Sequence, residues 1–275
     1  MAEDKKPQSG TLTGQVVVVT GSTQGIGAGI AKKFAEHGAR VVVHGIAQQK
    51  ESGESVLVAV RASGSDGLLV LGDLKDEAHC RDIVRQAVER FGQLDILVNN
   101  AAIYPRGNIE TTSVALWDEI FAVDLRAPFI VCQEAVKFMK PRQRGCIINI
   151  GSVNAYVGLR KVLAYSAAKG GLMTFTKNLA NYLTRYKIRV NQINPGWVLT
   201  EGEYRTNVVD EGKDESWLEE AVKTRPFGRM LAPEDVAKAA LFFATNELVS
   251  GSVLDYEQLP FGAPMDLENL SGIMQ

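Results

Sequence analysis

No run of apolar residues in the 275-residue chain approaches the ~18 needed to cross a bilayer, so no stretch reads as a membrane-spanning helix. Charge of either sign is in no excess. The 30 Lys and Arg against 32 Asp and Glu leave a net −2, which gives no electrostatic case for nucleic acid or an anionic membrane as partner. Cysteine is scarce. Cys80, Cys132 and Cys146 lack the spacing of a metal site, and Cys132 and Cys146 fall in helix and strand patterns. They read as buried reduced thiols of a cytoplasmic protein, and no metal site is expected. The start of the chain is polar and charged and lacks the apolar core of a signal, so residues 1–11 read as a flexible tail. Nothing suggests a second core, a low-complexity linker or a long repeat. What is present is 45% hydrophobic and 23% charged residues, enough for one large α/β domain, here placed over residues 12–258 with an extension over 259–275.

The first strand is the all-valine run Val16 to Val19, as expected of a strand buried on both faces. It feeds Gly21-Ser22-Thr23-Gln24-Gly25-Ile26-Gly27 and then a helical pattern to His37. Glycines at a strand–helix junction let the backbone turn sharply and approach a phosphate. The helix start adds free N–H groups and the positive end of its dipole. The spacing is G-x-x-x-G-x-G, not G-x-G-x-x-G. The second strand, Arg40 to His44, closes on Gly45, where a dinucleotide fold puts the residue that reads the adenosine ribose. An acid there would repel a 2′-phosphate. Its absence leaves NAD and NADP both open and leans toward NADP. A third strand, Leu68 to Gly72, ends in Asp73-Leu74. Asp73 either bonds an adenine amino group or caps the helix that starts near Asp76. The fourth strand, Leu94 to Val98, closes in Asn99-Asn100-Ala101-Ala102. Strands alternating with helices in units of about thirty residues argue for a parallel sheet.

A helical pattern from Ser113 to Met139 contains Pro128, which predicts a break near Asp124 to Arg126. The apolar run Cys146 to Ile150 reads as a strand, and Ser152 follows its carboxyl end, where ligands of open α/β sheets bind. Next comes Tyr165-x-x-x-Lys169 in a helical pattern, which puts phenol and ammonium on one face. Alone this is a weak motif. A phenol titrates near 10, and bringing it to neutrality takes about 4 kcal/mol of stabilisation of the phenolate. A neighbouring cation works in that direction. Along the same helix Leu172, Phe175, Leu179 and Leu183 form an apolar stripe, facing either the sheet or another subunit. After the strand Ile188 to Ile193 and Pro195-Gly196, residues 197–216 are polar and read as an irregular loop where a substrate lid would sit. Asn154, Arg160, Trp197, Glu201 and Arg106 are the candidate substrate contacts.

Together these motifs, in this order, resemble the short-chain dehydrogenase/reductase family from about Leu12 to Gln258. The resemblance implies a single-domain α/β fold, a Rossmann-like doubly wound parallel sheet of about seven strands with helices on both faces. It implies a nicotinamide cofactor, NAD or NADP. Its contacts fall on the glycine turn, Gly45, Asp73, Leu74, Asn100, Ala101, Tyr165, Lys169, Pro195, Gly196 and Val198. It assigns proton transfer to Tyr165, the substrate oxygen to Ser152, and ribose binding with lowering of the Tyr165 pKa to Lys169. The family's Asn that anchors a relay water aligns with Asp124, which as a carboxylate accepts but cannot donate. Ala102 replaces a usual Gly, and Ser250 to Glu257 lacks the usual Asp-Gly-Gly close.

The activity implied is interconversion of a secondary alcohol and a ketone, with a sugar, polyol or hydroxy acid as the substrate. The alternatives are a 3-oxoacyl-carrier reductase, whose acidic carrier would use Arg142, Arg144, Arg160 and Lys161, and a catalytically silent dinucleotide-binding sensor. A homodimer or homotetramer through the long helices is the implied assembly.

Overall fold

In the computed structural model, residues 11–214 and 216–259 are described; most of the expected tail and extension lies outside them. Seven strands form one sheet in the order β3-β2-β1-β4-β5-β6-β7, and every neighbouring pair is parallel. In chain order the elements are β1 (Val16–Val19), α1 (Gly25–Glu36), β2 (Arg40–Gly45), α2 (Lys50–Ala62), β3 (Gly67–Leu71), α3 (Glu77–Phe91) and β4 (Ile96–Asn99). They continue with α4 (Val114–Phe121), a π turn (Ala122–Arg126), α5 (Ala127–Met139), β5 (Gly145–Ile150), α6 (Leu163–Leu183) and β6 (Ile188–Pro195). The last are α7 (Glu201–Arg205), α8 (Trp217–Lys223), α9 (Pro233–Thr245) and β7 (Val253–Tyr256).

The valine run is explained by its two faces. Val17 and Val19 join one core with Ile30 and Phe34 of α1 and Val236 and Phe243 of α9. Val16 and Val18 join the other with Ile83 of α3, Ile130 of α5 and Leu183 of α6. Successive strand side chains point to opposite faces, so a sheet covered on both sides needs apolar residues at every position. The apolar stripe of α6 resolves the same way. Leu172 and Leu183 are buried, and Phe175 and Leu179 pack at the margin of the second core.

Helix boundaries follow local chemistry. Asp76 caps α3 by accepting from the Ala78 N–H at 2.8 Å, and α3 ends on Gly92 in the left-handed region. Asp73 is therefore not the cap; it accepts from Lys75 N at 2.8 Å. Pro128, with no N–H to give, sits in the first turn of α5, just after the π turn at Ala122–Arg126. Residues 197–216 depart from the expected irregular loop, because they include α7 and a further π turn at Thr206–Asp210. Thr200 caps α7 by accepting from the Glu203 N–H at 3.0 Å, and the Thr-x-x-Glu spacing was its signal in the sequence.

Phe243 is buried between α1, α9 and the sheet. Phe243→Ala is expected to lower unfolding stability by about 3–5 kcal/mol, the cost of a large core cavity. Urea titration measures it.

Candidate active site

At the carboxyl edge of the sheet, a cavity of about 840 Å³ opens over the ends of the central strands. β1 and β4 are neighbours whose connections leave to opposite sides, and the crevice between them is where such sheets bind ligands. The first wall is the glycine turn. Gly21 and Gly25 have φ of 61° and 55°, a region that favours glycine. A Cβ at Gly21 would lie 2.7 Å from the Ala101 Cα. The helix α1 starts at Gly25 with no side-chain cap and no acid in its first turn, so its N–H groups face the cavity without a competing carboxylate.

Gly21, Thr23, Gln24, Gly25 and Ile26 line the cavity. Ser22 and Gly27 do not, contrary to expectation. The Ser22 hydroxyl donates to Val19 O at 2.6 Å and accepts from His44 N at 3.0 Å, so it fastens β1 to β2. Gly27 packs under the turn, where a Cβ would strike Gly21 O and the Asn100 side chain. Asn100 donates from Nδ2 to Thr20 O and Gly21 O, both at 2.9 Å, and so ties the loop after β4 to the glycine turn. Gly45, Asp73, Leu74, Asn100, Ala101, Pro195, Gly196 and Val198 all line the cavity, as does Ala102.

His44 was missed in the sequence. As the penultimate residue of β2 it lines the cavity, accepts the Gly21 N–H on Nδ1 at 3.1 Å, and lies 3.2 Å from His79 through Nε2. Burial lowers it to about 3, and His79 adds to the fall. Its position at the strand end was the only sign available.

The other wall holds Ser152, Tyr165 and Lys169. Ser152, past the end of β5, is buried and accepts the Asn154 N–H at 3.1 Å. Tyr165 stands in the first turn of α6, and the Ser152 hydroxyl acts on its phenol. Lys169, one turn on, is buried; Nζ donates to Ile150 O at 3.1 Å and lies 5.4 Å from the Tyr165 ring centroid. Ser152, Tyr165 and Lys169 all line the cavity. Asp124 does not. It is wholly buried in the π turn, accepts the Ile103 N–H at 2.9 Å and approaches Lys169 Nζ to 3.4 Å. Burial pushes its carboxyl up to about 6, against the pull of Lys169.

The expected lowering of Tyr165 is not found. Burial pushes its phenol upward, the Asp124 charge pushes the same way, and only the bond from Ser152 opposes them.

Of the expected substrate contacts, Asn154, Trp197 and Arg106 line the cavity. Arg160 and Glu201 are exposed and lie outside it. Glu203 takes the place foreseen for Glu201, because two residues along a helix turn the side chain by about 200°. Glu203 accepts the Trp197 indole N–H at 2.7 Å. Tyr104, Asn207, Lys213, Arg225 and Glu257 also line this end and were not foreseen. They come from scattered segments, and only the fold gathers them. Arg142 sits at the opposite edge of the sheet, bonded to Leu94 O and Asp95, and Arg144 directly precedes β5 on that edge. Neither can serve a carrier at the cavity mouth.

Among the described residues no group of His, Cys, Asp or Glu is placed to hold a metal, and all three cysteines are buried. No helix of the described residues is long and apolar enough to cross a membrane.

Comparison with known proteins agrees with the geometry. The family described as Enoyl-(Acyl carrier protein) reductase matches residues 20–256. A solved short-chain dehydrogenase/reductase of Serratia marcescens, a doubly substituted variant, superposes with a TM-score of 0.81 at 33% identity, covering 90% of this chain and 98% of the other. The chain belongs to the short-chain dehydrogenase/reductase family. It is an oxidoreductase with that family's fold. Among its relatives, a 3-oxoacyl-(acyl-carrier-protein) reductase of Chlamydia pneumoniae is 34% identical over 86% of this chain and 92% of its own length. A gluconate 5-dehydrogenase of Gluconobacter oxydans is 33% identical over 90% and 95%.

Burial holds His44 neutral in the fold, while in the unfolded chain it takes a proton below about 6.5. The unfolded state then binds more protons, so stability falls as pH drops from about 6.5 toward 3, by at most about 1.4 kcal/mol per pH unit for this group. His44→Asn, which keeps an acceptor for Gly21 N–H, is expected to flatten that acid limb in urea titrations at several pH values.

Proposed function

We propose that the protein interconverts a secondary alcohol and a ketone with NAD or NADP, acting on a hydroxy acid, sugar or polyol. The observation that carries this reading is one cavity walled on one side by the uncapped glycine turn and on the other by Ser152, Tyr165 and Lys169. The cradle fits a dinucleotide: backbone freed of Cβ atoms at Gly21 and Gly25, helix N–H groups for the pyrophosphate, and Asp73 at the far end. Bound there, the cofactor gives or takes a hydride. The remaining work belongs to side chains. In reduction the carbonyl carbon gains the hydride and its oxygen gains the Tyr165 proton, so C=O becomes CH–OH and the phenolate is reprotonated from water. Ser152 steadies the same oxygen by a hydrogen bond. Lys169, lining the same cavity beside Tyr165, would meet the ribose hydroxyls.

At the end of β2 the lining residues Gly45, Ile46 and Gln49 include no carboxylate, which supports acceptance of NADP. The nearby cation Lys75 is paired with Glu119 at 2.8 Å and Asp73 at 3.4 Å and so is not free for a 2′-phosphate, which supports acceptance of NAD as well. For the substrate, Arg106, Lys213 and Arg225 stand among Asn154, Glu203 and Glu257, a polar and charged lining suited to a hydroxylated or carboxylated molecule. A gluconate dehydrogenase among the relatives agrees. The carrier-protein reading keeps support from the family description and from the Chlamydia relative. Of the four basic residues expected to meet an acidic carrier, the displacement of Arg142 and Arg144 to the far edge leaves Arg160 and Lys161. The half-exposed Phe129 with Leu125 and Phe175 on the outer face of the long helices supports pairing with a second copy. The buried thiols suit the cytoplasm.

Tyr165→Phe is expected to cut turnover about 10²–10⁴-fold while cofactor binding persists. The assay pairs both cofactors with sugars, polyols, hydroxy acids and acetoacetyl thioesters. Thioester reduction alone would move the protein to the carrier reading. Cofactor binding without any turnover would move it to the silent one.

A further inference from the structure

Asp124 is a buried carboxylate with an unusual setting. Its Oδ1 is engaged by the Ile103 N–H, but Oδ2 has no hydrogen-bond partner and lies 3.4 Å from Lys169 Nζ. Both side chains are almost fully buried, at 0% and 2% exposure, so water does not screen them from each other. Lys169 in turn lies over the Tyr165 ring. A lone cation there would stabilise the phenolate. A cation beside a carboxylate presents a dipole, whose field falls off faster than that of a charge.

The other titratable groups facing the trio do not restore that field. Glu203 of α7 acts on Tyr165 with negative charge. Tyr104 packs edge-on against it at 6.0 Å. Arg106 faces Tyr104 and is paired with Glu211 at 3.2 Å. Ser152 contributes only its hydroxyl.

We propose that Asp124 is a positioning residue and not a proton carrier: as counter-ion to Lys169 it cancels the cationic field at Tyr165, keeps the phenol protonated at neutral pH, and so fits this site to ketone reduction over alcohol oxidation. The proposal rests on Tyr165 being the proton donor. It explains why Asp124 touches the cavity nowhere yet bears on the phenol. Asparagine would keep an acceptor for Ile103 and lose the charge.

The test is an ultraviolet titration of the Tyr165 phenolate in the whole protein, taken as the difference between each protein and its Tyr165→Phe counterpart. In Asp124→Asn the acid dissociation constant of Tyr165 is expected to rise at least tenfold. The ratio of oxidation to reduction rate at neutral pH should rise with it, and the pH of half-maximal oxidation should fall. An unchanged titration overturns the proposal whatever the turnover. A shifted titration in a protein that turns over no alcohol or ketone supports the counter-ion role and sinks the assigned activity instead. If Asp124→Asn does not fold, Asp124→Ser is read by the same criterion.

Discussion

Where β1 and β4 lie side by side, their chain connections leave the sheet in opposite directions, and the site depends on that parting. Parallel strands covered by helices on both faces leave their carboxyl ends as the one edge where loops meet. The crevice needs its two rims held at a fixed distance. Asn100 does this by donating to the carbonyls of Thr20 and Gly21, while Thr20 Oγ1 accepts the Asn100 N–H at 3.0 Å and the Ala101 N–H at 3.1 Å. Residues from two distant segments thus share one hydrogen-bonded corner. The glycines of the turn are required because that corner is crowded, with Ala101 pressed against Gly21 and Asn100 against Gly27.

The second wall depends on the break in the long helix. A regular helix through Asp124 would bond every backbone group to its own turn. The π turn shifts that ladder and sets a carboxylate facing inward against Lys169 and Ile103 N. Pro128 forces the irregularity, since no N–H is available at that position. A residue with no place in the cavity thus stands 3.4 Å from one that has. The site combines a polar cavity lining with a dry cluster behind it, and electrostatic effects are larger in the dry part.

The strands, the alternation with helices and the glycine turn were legible because each is a local matter. The Val16–Val19 run shows burial on both faces by itself, and Asp76, Ser113 and Pro128 mark helix boundaries by their own hydrogen-bonding limits. Tyr165 and Lys169 were legible because four residues make about one helical turn. Ser152 was legible from its place after an apolar strand. Less legible were residues whose role depends on side-chain direction or on several loops at once. Glu201 and Glu203 look alike in the sequence, and only the cap at Thr200 decides which one faces inward. Ser22 and Gly27 belong to the turn but support it from behind.

The sequence by itself determined the sheet and its connections, since periodicity and spacing along the chain express those directly, and it put Ser152, Tyr165 and Lys169 at the positions to which the family resemblance assigns the chemistry. The tertiary structure alone decided the state of those groups. Whether Tyr165 is pulled toward phenolate or held as phenol depends on the burial of its ring and on Asp124, which is brought up from another helix. His44 is likewise held neutral by its enclosure and, less strongly, by a partner from α3. Acidity is set by desolvation and by charges a few ångströms away in space, and neither quantity is written in the order of residues along the chain.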